Sequence, residues 1–310
     1  MSNFRFVIGR FLGAIPTLLI LICLAFLLVK SAPGGPFDFE RSLPQEVEAN
    51  LRAAYNLDDP VYLQLFKYIG DLLQGDFGPS FQYRDYTVTE LIATGFPVSL
   101  RLGTAAIFLA LIFGSIIGSV AALNQNRKLD YSVMFFGMIG ISIPNFVMAP
   151  LLVLFFSIGL KALPAGGYNG GDFYHMILPV VSLALPQMAY IARLTRGSMI
   201  EVLSSNFVRT AKAQGLPTRT ILLKHVLKPT LLPVVSYLGP ATAAIITGSV
   251  VVEQIFGLPG LGRYFVQGAL NRDYTLVMGV VVFYGCLIIL FNLVVDTLYG
   301  FIDPRIKQNR

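Results

Sequence analysis

The sequence predicts an all-α integral membrane protein, with six transmembrane helices and a small helical layer on the outer face. Three observations predict it. Hydrophobic residues make up 55% of the 310 residues and charged residues only 13%, with a mean hydropathy of +0.68; a soluble domain carries roughly twice that charged fraction. Several apolar runs reach the ~18 residues that read as a membrane-crossing helix. The polar residues collect in intervals between those runs. The net charge of +6 therefore reports Lys- and Arg-rich cytoplasmic loops and not affinity for nucleic acid. Cys23 and Cys286 both fall inside apolar runs, which excludes a disulfide framework. His175 and His225 are too few and too far apart to suggest a metal site. No GxxxxGK[ST] loop occurs, so the chain does not bind ATP by that route.

The first span is expected from Phe11 to Val29, after Arg5 and Arg10. Its apolar run is longer than a signal-peptide core, and KSAPGGPF is a poor cleavage site, so it reads as a retained anchor. The interval from Ser31 to Ser99 holds ten of the seventeen acidic residues. Helical patterns run from Pro44 to Tyr55 and from Pro60 to Leu73, the second placing Val61, Leu65, Tyr68 and Leu72 on one face. The acidic cluster reads as a solvated face rather than a cation site. The second span, Leu102 to Leu123, carries Gly114 and Gly118 in a small-xxx-small seam that lets helices approach closely. The third, Val133 to Gly159, is interrupted at Ser142, Ile143, Pro144 and Asn145. There a proline frees a carbonyl and an asparagine brings an amide to membrane depth, which fits a packed kink or the lining of a wet pathway. Residues 161–175 form a glycine-rich turn region. The fourth span, Met176 to Ile191, contains Pro179, Pro186 and Gln187 and is closed by Arg193 and Arg196. The fifth is Leu231 to Val252 and the sixth Leu276 to Phe301. Gly257, Gly260 and Gly262 between them follow a span and not a strand, so they are no nucleotide fingerprint.

With the N-terminus inside, fourteen of the 23 Lys and Arg residues fall on the cytoplasmic side. Both termini and the polar interval Ser198 to Pro229 are then cytoplasmic, and the acid-rich layer is outside. That interval reads as helix, glycine, helix. Met199, Leu203, Phe207 and Ala211 recur at helical spacing. Gly215 followed by Pro217 is a helix stop, and Thr218 can cap a second, basic helix that runs to Lys228 before Pro229. A stiff elbow between spans suits being gripped from outside; the plainer reading is an amphipathic segment lying on lipid. Glu253 and Asp296 are acids within or beside spans and so demand explanation. Each lies near a span end, which favours an ion pair or a helix cap over a proton relay.

The interval also resembles the EAA loop of bacterial ABC-importer permease subunits, in which a short cytoplasmic helix followed by glycine docks into an ATPase cleft. Aligned on Gly215, the chain has Arg209, Thr210 and Ala211, then Gly215, then His225, Leu227 and Lys228, with Pro229 one position late. The glutamate and the aliphatic residue of the general pattern are replaced, in the manner of the peptide-importer branch. Flanking segments extend the likeness over essentially the whole chain: SAPGGPF, GDFGPSF, TRGSMIEVLSSNFVRTAKAQGL, ITGSVVVEQIFGLPGLG, ALNRDY and DPRIK. The chain is thereby identified as a member of the dipeptide/oligopeptide/nickel permease family, similar to the B-type subunits of bacterial oligopeptide importers.

The resemblance implies six spans of the ABC type I importer permease kind in the bacterial inner (plasma) membrane. Residues 1–30 would form the N-terminal transmembrane helix, 31–99 the periplasmic helical segment, and 100–310 a five-helix permease core with its coupling loop at 193–229. It implies a homologous C-type permease subunit, two cytoplasmic ATPase subunits holding the ATP and Mg, a periplasmic or extracellular peptide-binding protein, and a peptide substrate. This chain would hold no cofactor and would not itself hydrolyse ATP. The docking region would be Glu201, Asn206, Arg209, Lys212 and Gly215, with Phe207 and Ala211 filling the ATPase cleft. Ser142, Asn145 and Gln187 are candidates for lining the pathway. Dipeptide, nickel and glutathione importers have similar subunits. A secondary transporter, the reading from a different class, would need a mid-depth coupling-ion site and inverted repeats, and neither is evident.

Overall fold

A computed structural model describes residues 3–31, 59–83 and 85–302. Among them the chain is almost wholly helical. Helix α1 (Asn3–Ser31) is followed by α2 (Val61–Leu73), α3 (Val88–Leu123), α4 (Lys128–Ser142) and α5 (Asn145–Leu152), which runs on as a wide turn over Val153–Gly159. Then come α6 (Phe173–Leu203), the eight-residue α7 (Asn206–Ala213), and α8 (Leu227–Gly248). The last three are α9 (Val250–Phe256), α10 (Leu261–Leu270) and α11 (Tyr274–Ile302). Five helical stretches are long and apolar enough to cross a membrane; the bent pair α4 and α5 makes up to six. The expected helix from Pro44 to Tyr55 lies outside the described residues.

The core is built on α3 against α6. The expected glycine seam finds its partner within the chain: a Cβ on Gly114 would sit 2.8 Å from the Met188 carbonyl, and one on Gly118 would sit 2.3 Å from that of Ala192. Only glycine permits such an approach, and in lipid close packing of this kind is a main source of helix association. Helix α3 begins at Val88, well before the expected start of the span. Thr87 caps it, accepting from Glu90 N–H while the Glu90 carboxylate accepts from Thr87 N–H, a reciprocal box that satisfies two otherwise orphaned donors. The outer layer is thus continuous with the second span rather than hinged from it.

Three expectations are corrected here. The third span does not simply kink: α4 and α5 meet at 107° across Ile143 and Pro144, because Pro144 has no N–H to continue the ladder and starts a new helix. The fourth span does not end at Ile191, since α6 continues through Arg193 and Arg196 to Leu203. Pro229 does not end the basic helix. Thr218–Thr220, the wider π-type turns of Ile221–Val226 and α8 run on without a break, the loosened turn accommodating a residue that cannot donate.

An exposed elbow as the candidate functional site

Helix α7 stands where two long helices change direction. Helix α6 stops at Leu203 with Ser204 as its C-cap, and Ser205 begins α7. At its far end the Leu216 N–H donates to the Ala211 carbonyl and the Gly215 N–H to that of Lys212, the paired bonds of a Schellman stop. Gly215 holds φ +73, a left-handed conformation that a side chain disfavours. Pro217 then starts the run into α8.

The inner face of α7 is Val208 and Ala211, both buried. They pack with Ala122 from the end of α3, Met199 from α6, and Ile221 and Val226 from the approach to α8. Ala211 is therefore spent on holding α7 to its own chain, which corrects its expected place in a partner's cleft. The other docking candidates lie outward: Glu201, Asn206, Phe207, Arg209, Lys212 and Gly215 are all exposed. Phe207 is 48% exposed, and Leu216 and Leu223, which sequence reasoning did not select, are 36% and 57% exposed. Around these apolar side chains stand the exposed cations Arg209, Lys212, Arg219, Lys224 and Lys228. Apolar anchors ringed by one sign of charge are the chemistry an acidic protein partner would meet.

Beside the elbow, Arg196 grips Asp130 with two parallel bonds, Nε to Oδ1 at 2.5 Å and NH2 to Oδ2 at 2.7 Å. The Asn126 N–H donates to the same carboxylate. Asp130 is 1% exposed, so the start of α4 is fastened to α6 through a bidentate pair whose geometry a lysine could not reproduce. Neither residue was singled out as a pair from sequence, because they lie 66 positions apart.

The pathway candidates separate. The Ser142 hydroxyl donates back to the Met138 carbonyl, so it is satisfied by its own helix. Asn145 keeps a buried Oδ1 with no partner among the described residues. Gln187 accepts from the Tyr237 hydroxyl at 2.5 Å, joining α6 to α8.

At the opposite end, Glu253 is fully buried in α9 and works as a cap. One carboxylate oxygen accepts from the Ser99 and Ser249 hydroxyls, each at 2.6 Å. The other accepts from the Gly262 N–H at 2.8 Å, and the Leu261 N–H donates to Ser99 Oγ. The free donors at the start of α10 are thus met by one acid and one hydroxyl. A Cβ on Gly260 would lie 2.3 Å from Glu253 Oε2, which is why that loop is glycine-rich. Asp273 plays the same part for α11, accepting from the Leu276 N–H, and also from the Ser80 hydroxyl and the Gln82 N–H of the outer layer. The side chain of Asp296 lies outside the described residues.

A bundle of apolar helices carrying an exposed basic elbow between two spans defines a multi-pass membrane permease subunit of the ABC-importer kind. The chain belongs to the family described as "Binding-protein-dependent transport system inner membrane component", which it matches over residues 114–308. It is thus a membrane component of such a system and not its ATPase. It is 58% identical over 303 residues to the oligopeptide transport system permease protein OppB of Escherichia coli (strain K12), covering 98% of this chain and 99% of that one. It is 45% identical to the dipeptide transport system permease protein DppB of Bacillus subtilis (strain 168), covering 99% of each. Among solved structures it resembles the inward-facing MetNI methionine ABC transporter, with a TM-score of 0.60 at 18% identity over 69% of this chain and 96% of that one. That likeness bears on the fold alone.

Proposed function

We propose that this chain is one of two permease subunits of an ATP-driven oligopeptide importer, forming half of the translocation pathway. The observation that carries the reading is the exposed elbow, with Phe207 among Arg209 and Lys212 and a glycine stop behind it. It lies in a chain whose identity to an oligopeptide permease protein exceeds that to a dipeptide one. A homologous C-type permease would complete the pathway. Two cytoplasmic ATPases holding ATP and Mg would dock on the elbows, and a peptide-binding protein would deliver cargo from outside. The termini and elbow would be cytoplasmic, as the distribution of Lys and Arg supports. ATP acts through its differential effect on inward- and outward-open states, so work done on another chain must enter this one through a stiff contact.

The test is peptide uptake into proteoliposomes by the assembled importer. Gly215→Pro locks φ near −65° and deletes the N–H that bonds Lys212. It should leave ATP hydrolysis uncoupled from uptake, or prevent the ATPases from copurifying. Wild-type uptake in this variant would reject the elbow as the coupling site. Uptake that survives ATP depletion but stops when the membrane potential collapses would reject the ATP-driven reading in favour of a secondary transporter.

A further inference from the structure

We propose that Gln187, Tyr190 and Arg193 on α6, with Tyr237 on α8, form a water-facing wall of the pathway. There the Gln187 side-chain amide donates to main-chain carbonyls of passing peptides. The inference rests on the importer reading and names the chemistry of its path.

The Tyr237 hydroxyl donates to Gln187 Oε1, which fixes the side chain and leaves its NH2 group turned away from that bond. Among the described residues this NH2 has no acceptor, and Gln187 is half-buried rather than enclosed. Two unmet donors at membrane depth are costly against lipid and costless against water or a carbonyl-bearing cargo. Tyr190 stacks on Tyr237 with ring centroids 4.3 Å apart, and the Arg193 guanidinium lies 5.1 Å over the Tyr190 ring. Pro186, Tyr190, Arg193, Gly197 and Glu201 follow at helical spacing, none of them buried, so one open stripe of α6 runs from this cluster to the elbow. Elsewhere the exposed surface is apolar, and its few hydroxyls are satisfied locally. The exposed side chains of α5 and its continuation include Phe146, Leu151, Leu154, Phe155 and Ile158, and exposed Thr17 of α1 and Ser142 of α4 bond back to their own helices.

The chemistry fits a cargo whose constant part is its backbone. A neutral amide donor reads carbonyls that every peptide has, and aromatic faces accept peptide planes and varied side chains alike. Among the described residues no acid belongs to the cluster to repel anionic peptides.

The test uses the whole importer in inside-out vesicles, with Cys23 and Cys286 replaced by alanine. Gln187→Cys and Tyr190→Cys should react with a charged, membrane-impermeant methanethiosulfonate, either without nucleotide or with ATP and vanadate. Trialanine with its binding protein should slow the reaction, and the Phe155→Cys control should stay silent. Thiols at 187 and 190 that remain unlabelled in both states, as they would if the second permease covered them, overturn the proposal. In proteoliposomes of the assembled importer, trialanine uptake should fall about fivefold in Gln187→Leu, the loss of roughly one net hydrogen bond, and less in Tyr237→Phe. Undiminished uptake in Gln187→Leu also overturns it. A wild-type importer that fails to couple ATP to uptake condemns the importer reading instead, while the labelling pattern still reports on the wall.

Discussion

Replacing Glu253 separates what its charge does from what its shape does. Its two oxygens accept three bonds of 2.8 Å or shorter, from Ser99, Ser249 and Gly262. In Glu253→Ala the Gly262 N–H loses its acceptor in a site with no exposure, and both hydroxyls must turn elsewhere. Hydrogen bonds to a charged group contribute about 1.5–3 kcal/mol each, offset in part because a buried charge no longer has to be desolvated. The expected net loss is about 3–5 kcal/mol, enough to separate α10 from the outer end of α3. Glu253→Gln should behave differently. Its amide oxygen can accept from the Gly262 N–H while its NH2 faces two serine hydroxyls, which can rotate to accept. Ser249 keeps the Ile246 carbonyl as an acceptor and only the Ser99 O–H must find a new one, so the loss should be about 1 kcal/mol. The assay is the fraction of detergent-purified complex that stays monodisperse after heating, for wild type and both variants. A Glu253→Ala subunit as heat-resistant as wild type would refute the capping role. So would a Glu253→Gln subunit as damaged as Glu253→Ala, since that would place the whole effect in the charge.

Three further predictions follow from the same kind of reasoning. Gly118→Val forces a branched side chain where even a Cβ would lie 2.3 Å from the Ala192 carbonyl; overpacking costs about 1–3 kcal/mol where neighbours can yield, and here a backbone must move, so folded subunit should be lost from membrane extracts. Arg196→Lys should destabilise the subunit by about 1 kcal/mol and Arg196→Ala by about 2–3 kcal/mol, the latter reduced from the fully buried case because Arg196 is 26% exposed; thermal inactivation of the two variants side by side checks the order. Asp273→Ala removes the α11 cap and its bonds to Ser80 and Gln82, costing about 1–2 kcal/mol at the cap, and should open residues 78–83 to protease added from the outer side.

Spans were legible in the sequence because an apolar run of sufficient length has few other uses. Their ends and angles were less so, for identifiable reasons. The break at Pro144 is local chemistry, but the 107° between α4 and α5 is set by what each half packs against. The elbow's inner face was misassigned because one helical period was carried from Met199 through to Ala211. The chain breaks at Ser204 and Ser205, the phase resets, and Ala211 turns inward with Val208 while Phe207, expected with it in a partner's cleft, stays exposed. Pro229 was read as a stop because a wide turn just before it leaves no mark in composition. A helix cap at Glu253 was one of two open readings, yet its partner Ser99 lies 154 positions away, and no local pattern connects them.

If α7 is the coupling site proposed above, its packing would carry a movement imposed on so short a helix to the whole subunit. Val208 and Ala211 touch side chains at the ends of α3 and α6 and at the approach to α8, and the Arg196–Asp130 pair adds the start of α4. Four elements therefore meet at the elbow end as one tightly packed body, and packed interiors shift between discrete arrangements rather than deforming smoothly. At the opposite end, Glu253 and Asp273 fasten α3, α9, α10 and α11 to one another and to residues 80–82 with buried polar bonds. Between these fastened ends, α6 carries Pro179 and Pro186, and α8 carries Pro233 and Pro240. A proline inside a helix removes a ladder bond and localises bending. In the proposed importer, movement imposed at the elbow would thus be resisted at both ends and absorbed between them, beside Gln187, Tyr190 and Tyr237, where the proposed pathway would open and close.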